Sequence, residues 1–323
     1  MRGSEIIDKF RDIQIDEMVY SHANDIDTVA YVLGIDSNYL SSQVRLHIPW
    51  YTAEDLSPNM GLTTIREILA HMKTSLSDFN VNHNVHRKLN GISLISGNAK
   101  VLKKNNSIIV EDSSLKIKKL NFVEIPATFG LEIQETMHYI HHARTDTRFH
   151  FGISLDNYIA PLCYAAFSDL DRKYLTNSLS KWLPEKCTPL VKERVAVMTR
   201  AFGYNPLPKN MMSTLFSCSA KRLYNEGYDY IITALNPFLG FKGSIFLGAS
   251  YFPFATSPME YVYDRFGNYL NRRSISGTKY SQHYPTPPIL WLVHPLKRRD
   301  LNILENLKEI NLYEISREEY DKG

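Results

Sequence analysis

Cysteine is scarce. Cys163, Cys187 and Cys218 are the only three in 323 residues, and no two stand at C-x-x-C spacing. That excludes a disulfide framework and a zinc ribbon, and it fits buried thiols in a reducing compartment. A run of eighteen apolar residues is also missing, so no membrane-spanning helix is expected. The opening MRGSEIIDKF carries charge and lacks an apolar segment, which does not read as a secretory leader. A cytoplasmic protein is expected. Internal repeats are absent. Apolar residues make up 44% and charged residues 22%, ordinary values for a globular chain of this length, which suits two domains.

The formal net charge is only +3, but it is unevenly spread. Between Met60 and Leu120 ten lysines and arginines face four acids, and Arg265–Arg299 holds seven basic residues and no acid. Such stretches suit a polyanion, either nucleic acid or a phosphate-bearing cofactor, or form a solvated surface. Double-stranded DNA is the expected macromolecular partner.

Residues 27–47 (DTVAYVLGIDSNYLSSQVRLH) have the layout of a helix-turn-helix. A first helix opens at Thr28, Gly34 permits a tight turn, and Ile35, Leu40 and Val44 supply the buried side of a second helix. On that reading Ser37, Asn38, Ser42, Gln43 and Arg45 face outward as DNA-binding residues. An αα-hairpin has the same signature. A second helical stretch, Thr63–Met72, leads to a polar segment ending in Arg87-Lys88, also expected to contact DNA. His83 and His86 invite an HNH-nuclease reading, but the further His or Asn of such a metal site is missing. Residues 92–124 alternate apolar and polar, with Asn105-Asn106 the best hairpin turn between VLKK and SIIVE. Residues 1–125 are therefore expected to form a smaller α+β, helix-turn-helix-like domain containing a basic β-unit.

From Pro126 to the C-terminus helix and strand patterns alternate, which predicts an α/β domain with a mixed sheet over residues 126–323. Helices are expected around 132–141, 172–182, 210–226 and 242–249. Strands are expected at 150–153, 159–167, 194–202, 230–234, 261–264 and 289–295. Residues 275–288, rich in proline, read as a surface loop. Within this series, Pro208-Lys209-Asn210 opens a long helix directly after a buried strand. A helix start presents unpaired N–H groups and the positive end of a dipole, a setting for phosphate. Lys209 adds a charge there, and Ser213 lies in the first turn. An ordinary βαβ unit with a proline-capped helix fits the same residues.

Three pieces in order also carry a resemblance. The first is His138-Tyr139 followed by a Phe151-Gly152 strand. The second is Arg200, then Pro208, Lys209, Asn210 and Ser213 entering a helix. The third is YIITALNPFLGFKGSIFLGASYF, which follows a pattern S-Y-A-D-P … G-H-x-G-x-x-Y-x-A-x-G-F. Residues 136–273 thereby resemble the GCN5-related acyltransferase (GNAT) superfamily, and within it the Mom family of phage DNA-modification proteins. The resemblance implies a GNAT-like mixed sheet flanked by helices. It also implies an acyl-CoA such as acetyl-CoA, or a related acyl donor, held by Lys209, Asn210, Ser213 and Phe246. His138, Arg200, Thr233 and Asn236 are implied as catalytic. Departures bear on the chemistry. The glycine-rich phosphate loop is absent, as it is in the Mom family. Asn236 replaces an Asp and cannot be a general base. Phe241 and Phe246 replace a His and a Tyr, so an acid must come from elsewhere, with Tyr251, Tyr261 and Tyr263 as candidates.

His138 suits a proton-accepting role through its unperturbed pKa near 6.5, or it is a packing histidine. A His138/His142 metal pair lacks a third ligand, and no metal is expected. The aromatic stretch Tyr251–Tyr269 suits stacking on an extruded base or core packing. Three functions follow. The chain could be a DNA-modifying acyltransferase acting on an exocyclic base amine. It could instead acylate a small amine or a protein lysine, or be a DNA-binding regulator with an inactive acyltransferase fold.

Overall fold

A computed structural model describes residues 100–104, 107–112, 115–136, 138, 143–155, 161–203, 209–235, 243–263, 269–270 and 282–322. The expected helix-turn-helix and the DNA-binding candidates Ser37, Asn38, Ser42, Gln43, Arg45, Arg87 and Lys88 lie outside the described residues.

One mixed sheet organises the chain, with helices on both faces. Its strands are β1 (Lys100–Lys104), β2 (Ser107–Asp112), β3 (Leu115–Glu124), β4 (Phe149–Leu155), β5 (Cys163–Asp169), β6 (Val195–Gly203) and β7 (Tyr230–Leu235), followed by β8 (Phe252–Tyr263), β9 (Tyr269–Leu270), β10 (Gln282–Pro295) and β11 (Tyr313–Glu314). Their spatial order is β1-β2-β3-β4-β5-β6-β7-β10-β8-β11, with β9 on β8. The helices are α1 (Ala127–Thr136), α2 (Lys173–Trp182), α3 (Met211–Asn225), α4 (Ser244–Gly248), α5 (Arg298–Glu305) and α6 (Arg317–Lys322). No described helix is long and apolar enough to cross a membrane.

Strand alternation sorts side chains into two cores. Ala196 and Met198 of β6 and Ile231 of β7 meet Leu215 and Phe216 of α3 on one face. Val195, Val197, Tyr230 and Ile232 meet Leu175 and Leu179 of α2 on the other. Strand β5 is buried on both sides from Cys163 to Ser168, as its continuous apolar run requires.

Lys104 pairs with Ser107 in the antiparallel β1–β2 ladder, the register that a two-residue turn at Asn105-Asn106 dictates. The basic strands end at Glu124. β3 pairs with β4 from Leu120↔Leu155 to Glu124↔Phe151, so one hydrogen-bonded sheet runs across that position. Two expected boundaries differ. The first helix spans Ala127–Thr136 rather than 132–141, because Pro126, with its fixed φ, opens it, and the Gly130 N–H donates to the Pro126 carbonyl. The proline-rich stretch ahead of Ile289 is not a loop throughout, since β10 begins at Gln282 and pairs with β8. The ladder there is irregular between Thr286 and Ile289, where Pro287 and Pro288 have no N–H to give.

An ion cluster around the buried Asp229 ties the β6, β7 and β10 ends together. The Asp229 carboxylate meets Arg194 Nε and Lys297 Nζ, each at 2.9 Å.

Candidate active site

Strands β6 and β7 are the parallel pair at the centre of the sheet, joined by α3. Their ladder runs from Val195↔Tyr230 to Met198↔Thr233 and stops there. Both strands continue, β6 to Gly203 and β7 to Leu235. Beyond Met198 and Thr233 they have parted, which leaves facing main-chain edges in a wedge open at the carboxyl ends of the parallel strands. Ligands of α/β sheets bind at such ends.

A bulge marks the parting. Ala166 pairs with Arg200 and Phe167 with Met198, so Thr199 is an extra residue in β6. Its insertion reverses the alternation and puts Arg200 on the face carrying Ala166. Arg200 is buried, with 8% of its surface exposed. Its Nη1 donates to the Thr199 carbonyl at 2.7 Å. The Thr233 hydroxyl, also buried, donates across the pair to the Met198 carbonyl at 3.1 Å.

Two helices start at the open end of the wedge. Asn210 precedes α3 in the left-handed region, at φ 67°, and no side chain caps the helix. The Thr214 N–H reaches the Asn210 carbonyl at 2.9 Å, while the N–H groups of Met211, Met212 and Ser213 belong to the first turn, which has no intrahelical acceptors. A cavity of about 300 Å³ lies against this turn, lined by Asn210, Met211, Met212, Ser213, Ser244, Ile245 and Gly248. The Ser213 hydroxyl turns back onto the Asn210 carbonyl at 3.1 Å. Lys209 is exposed, and its carbonyl accepts the Val101 N–H of β1 at 2.8 Å.

Helix α4 ends in a Schellman motif: Ser250 N–H to the Leu247 carbonyl and Tyr251 N–H to the Phe246 carbonyl, both at 3.0 Å. Ser250 takes φ 58°, at the place where the matched pattern carries glycine. Phe246 is half-buried. It stacks on Phe216 with centroids 5.4 Å apart and meets Tyr251 edge-on at 5.5 Å. Tyr251 also stacks on His294 at 5.0 Å. Its hydroxyl is buried with no hydrogen-bond partner among the described residues, and burial drives its pKa well up, so it holds its proton.

On the face that α1 covers, β4, β5 and β6 carry a polar row. His150 pairs with Ala166, which pairs with Arg200. His150 Nδ1 lies 2.6 Å from the Tyr164 hydroxyl, which accepts Gln134 Nε2 at 2.9 Å. Gln134 Oε1 in turn accepts the Arg144 N–H at 2.8 Å. With Gln134 donating, the tyrosine proton goes to Nδ1, which places the histidine proton on Nε2. Burial pushes the His150 pKa down to about 4. The ring lies beneath Gly130, where a Cβ would come within 2.1 Å of Nδ1, so this helical position has no room for a side chain.

Of the expected site residues, Arg200 and Thr233 both lie at the apex of the wedge, each bonded to a β6 carbonyl there. Lys209, Asn210 and Ser213 come together at the start of α3. Phe246 lies beside them on α4, in contact with Phe216 of α3. His138 follows the end of α1, is 3% exposed, and donates its N–H to the Ile133 carbonyl at 3.1 Å. Asn236 and His142 lie outside the described residues, and the side chains of Tyr261 and Tyr263 are likewise not described. Among the described residues no group of three His, Cys, Asp or Glu could hold a metal ion. The sequence reading missed Gln134, His150 and Tyr164. A histidine and a tyrosine on the same parity as Gly152 and Ala166 in two apolar strands were the available signal.

No family model and no curated protein matches the chain. Among solved structures it aligns with yncA of Salmonella typhimurium, an acetyltransferase by assignment, with its cofactor acetyl-CoA. That alignment has 7% identity and a TM-score of 0.34 over 55% of this chain and 95% of the other. An N-acetyltransferase from Staphylococcus aureus Mu50 aligns at 11% identity and TM-score 0.33, over 55% and 97%. Nourseothricin acetyltransferase aligns at 7% identity and TM-score 0.28, over 62% and 84%.

Proposed function

We propose that the chain is an acyltransferase whose donor is an acyl-CoA such as acetyl-CoA. The observation that carries this reading is the parting of β6 and β7 after Met198 and Thr233, with the uncapped start of α3 at the same end. Facing strand edges offer N–H and C=O groups to an extended, amide-bearing chain, as an added strand would use them. The first-turn N–H groups of α3 suit a pyrophosphate, with Lys209 supplying charge and Asn210 and Ser213 lining the approach. An acyl-coenzyme A joins these two chemistries in one molecule, an amide-bearing arm that ends in the thioester and a pyrophosphate. The protein's share of the reaction is then to hold the thioester in the wedge and to set an amine beside it. We read His138 as the base that accepts the amine proton, with Thr233 and Asn236 as the further residues of the reaction.

Calorimetric titration with coenzyme A and acetyl-CoA tests the donor. Binding in the micromolar range that Lys209→Ala weakens several-fold supports it, and no heat with either molecule removes it.

The acceptor is the finer part of the proposal. We read it as an exocyclic amine of a DNA base, delivered by residues 1–125. This rests on the basic stretches at 60–120 and 265–299 and on the resemblance of the three matched pieces to a DNA-modification family. Nucleoside mass spectrometry of DNA from cells expressing the chain is the test. An unmodified profile, together with acylation of a small amine or of a lysine peptide in vitro, would replace DNA with that acceptor.

A further inference from the structure

Two consecutive carbonyls at the apex of the wedge are each taken by a side chain. The Met198 carbonyl accepts the Thr233 hydroxyl at 3.1 Å. The Thr199 carbonyl accepts Arg200 Nη1 at 2.7 Å. Both side chains are buried, with Thr233 4% and Arg200 8% exposed. Met198 and Thr233 are also the last pair of the parallel ladder, and Thr199 is the bulged residue between the Ala166 and Phe167 pairings.

A parallel ladder that has formed four pairs would ordinarily go on forming them, because each further pair satisfies main-chain groups that are otherwise exposed. Here Thr199 and Arg200 of β6 stand next in register to Ala234 and Leu235 of β7, yet among the described residues pairing stops. Its stopping point coincides with the two side-chain caps. We propose that Thr233 and Arg200 are positioning residues, a clamp at the apex of the wedge: the Thr233 hydroxyl ties β7 to the Met198 carbonyl of β6 at their last pair, and Arg200 braces the bulged Thr199 carbonyl, which fixes the point beyond which the strands part and the donor is read to bind. The proposal rests on the donor reading for its functional meaning. Its structural content stands without it. On this view Arg200 acts through the backbone of the bulge rather than by touching a substrate.

Thr233→Val removes the hydroxyl and keeps the branched shape, and Thr233→Ser keeps the hydroxyl. Arg200→Met removes the second cap. Two measurements on the full chain decide the matter. The first is amide hydrogen exchange over residues 197–203 and 232–235. Thr233→Val and Arg200→Met should exchange faster there than wild type, with Thr233→Ser close to wild type and peptides of α2 and α5 unchanged. Equal exchange in all four proteins overturns the clamp, as does a uniform rise across the chain, which marks general loss of stability. The second is calorimetric titration with coenzyme A. Thr233→Val should weaken binding by roughly five- to tenfold, the equilibrium worth of one buried hydrogen bond, and Thr233→Ser should restore it. If wild type binds and Thr233→Val binds equally well, the clamp has no part in the site and the proposal falls. If wild type does not bind coenzyme A, the donor reading fails, and hydrogen exchange still decides whether the clamp exists.

Discussion

Acidification should destabilise the fold through His150, and the size of the effect follows from its surroundings. The imidazole is 5% exposed, receives the Tyr164 proton on Nδ1 and has its pKa pushed down to about 4 by burial, against 6.5 for the free side chain. The native protein therefore keeps His150 neutral until the pH nears 4, whereas the unfolded chain takes up the proton from pH 6.5 downward. Unfolding binds the extra proton in that window, so stability is lost as pH falls through it. From pH 7.5 to pH 5.0 the linkage amounts to about 2 kcal/mol, approaching about 3 kcal/mol at still lower pH, as upper values for a fully dry ring. Urea denaturation at the two pH values measures it, with His150→Phe as reference. The substitution costs stability at both, because Tyr164 loses its acceptor. The wild-type loss between pH 7.5 and 5.0 should nevertheless exceed that of His150→Phe by about 2 kcal/mol. Subtracting the variant removes the contribution of His294, whose pKa burial also lowers. Parallel pH profiles for the two proteins would refute the reasoning and would mean that the native ring takes a proton at its ordinary pKa.

Two further outcomes are expected. Ser250→Gly should stabilise by about 1 kcal/mol, because residue 250 holds φ 58° and a side chain there is strained; a thermal midpoint that stays or falls would show the Schellman turn to be strain-free with serine. Asp229→Asn should cost about 2 kcal/mol, read as a lower urea midpoint with unchanged slope. The carboxylate is 2% exposed while Arg194 and Lys297 are 47% and 32% exposed, so both cations regain water when the charge is removed, which keeps the loss below that of a fully buried pair.

What the sequence disclosed was governed by local chemistry. The β6–α3–β7 unit was legible because a buried strand, a Pro-Lys-Asn break and a helical period follow each other within forty residues. The Lys104–Ser107 turn was legible because two asparagines stand between two alternating runs. The wedge was not. The end of the β6–β7 ladder at Met198 coincides with the bulge at Thr199 and with bonds from Thr233 and Arg200 to main-chain carbonyls, and no periodicity records where a ladder ends. The Gln134–Tyr164–His150 chain was hidden for a related reason, since its members come from three elements and meet only when α1 lies on β4 and β5. The division expected near residue 125 followed a change of texture.

The bridge between Lys100 and Lys209 fixes a tether. The strand that begins the described sheet is bonded to the residue that precedes Asn210 and α3. The chain before it therefore departs from beside the mouth of the wedge. A peptide extends at most about 3.5 Å per residue, so a binding element ten residues ahead of Lys100 stays within about 35 Å of the start of α3. Any molecule gripped there would face the wedge at a local concentration on the order of millimolar, whatever its concentration in bulk. If the first hundred residues grip the acceptor as proposed, weak recognition by them is enough to fill the site.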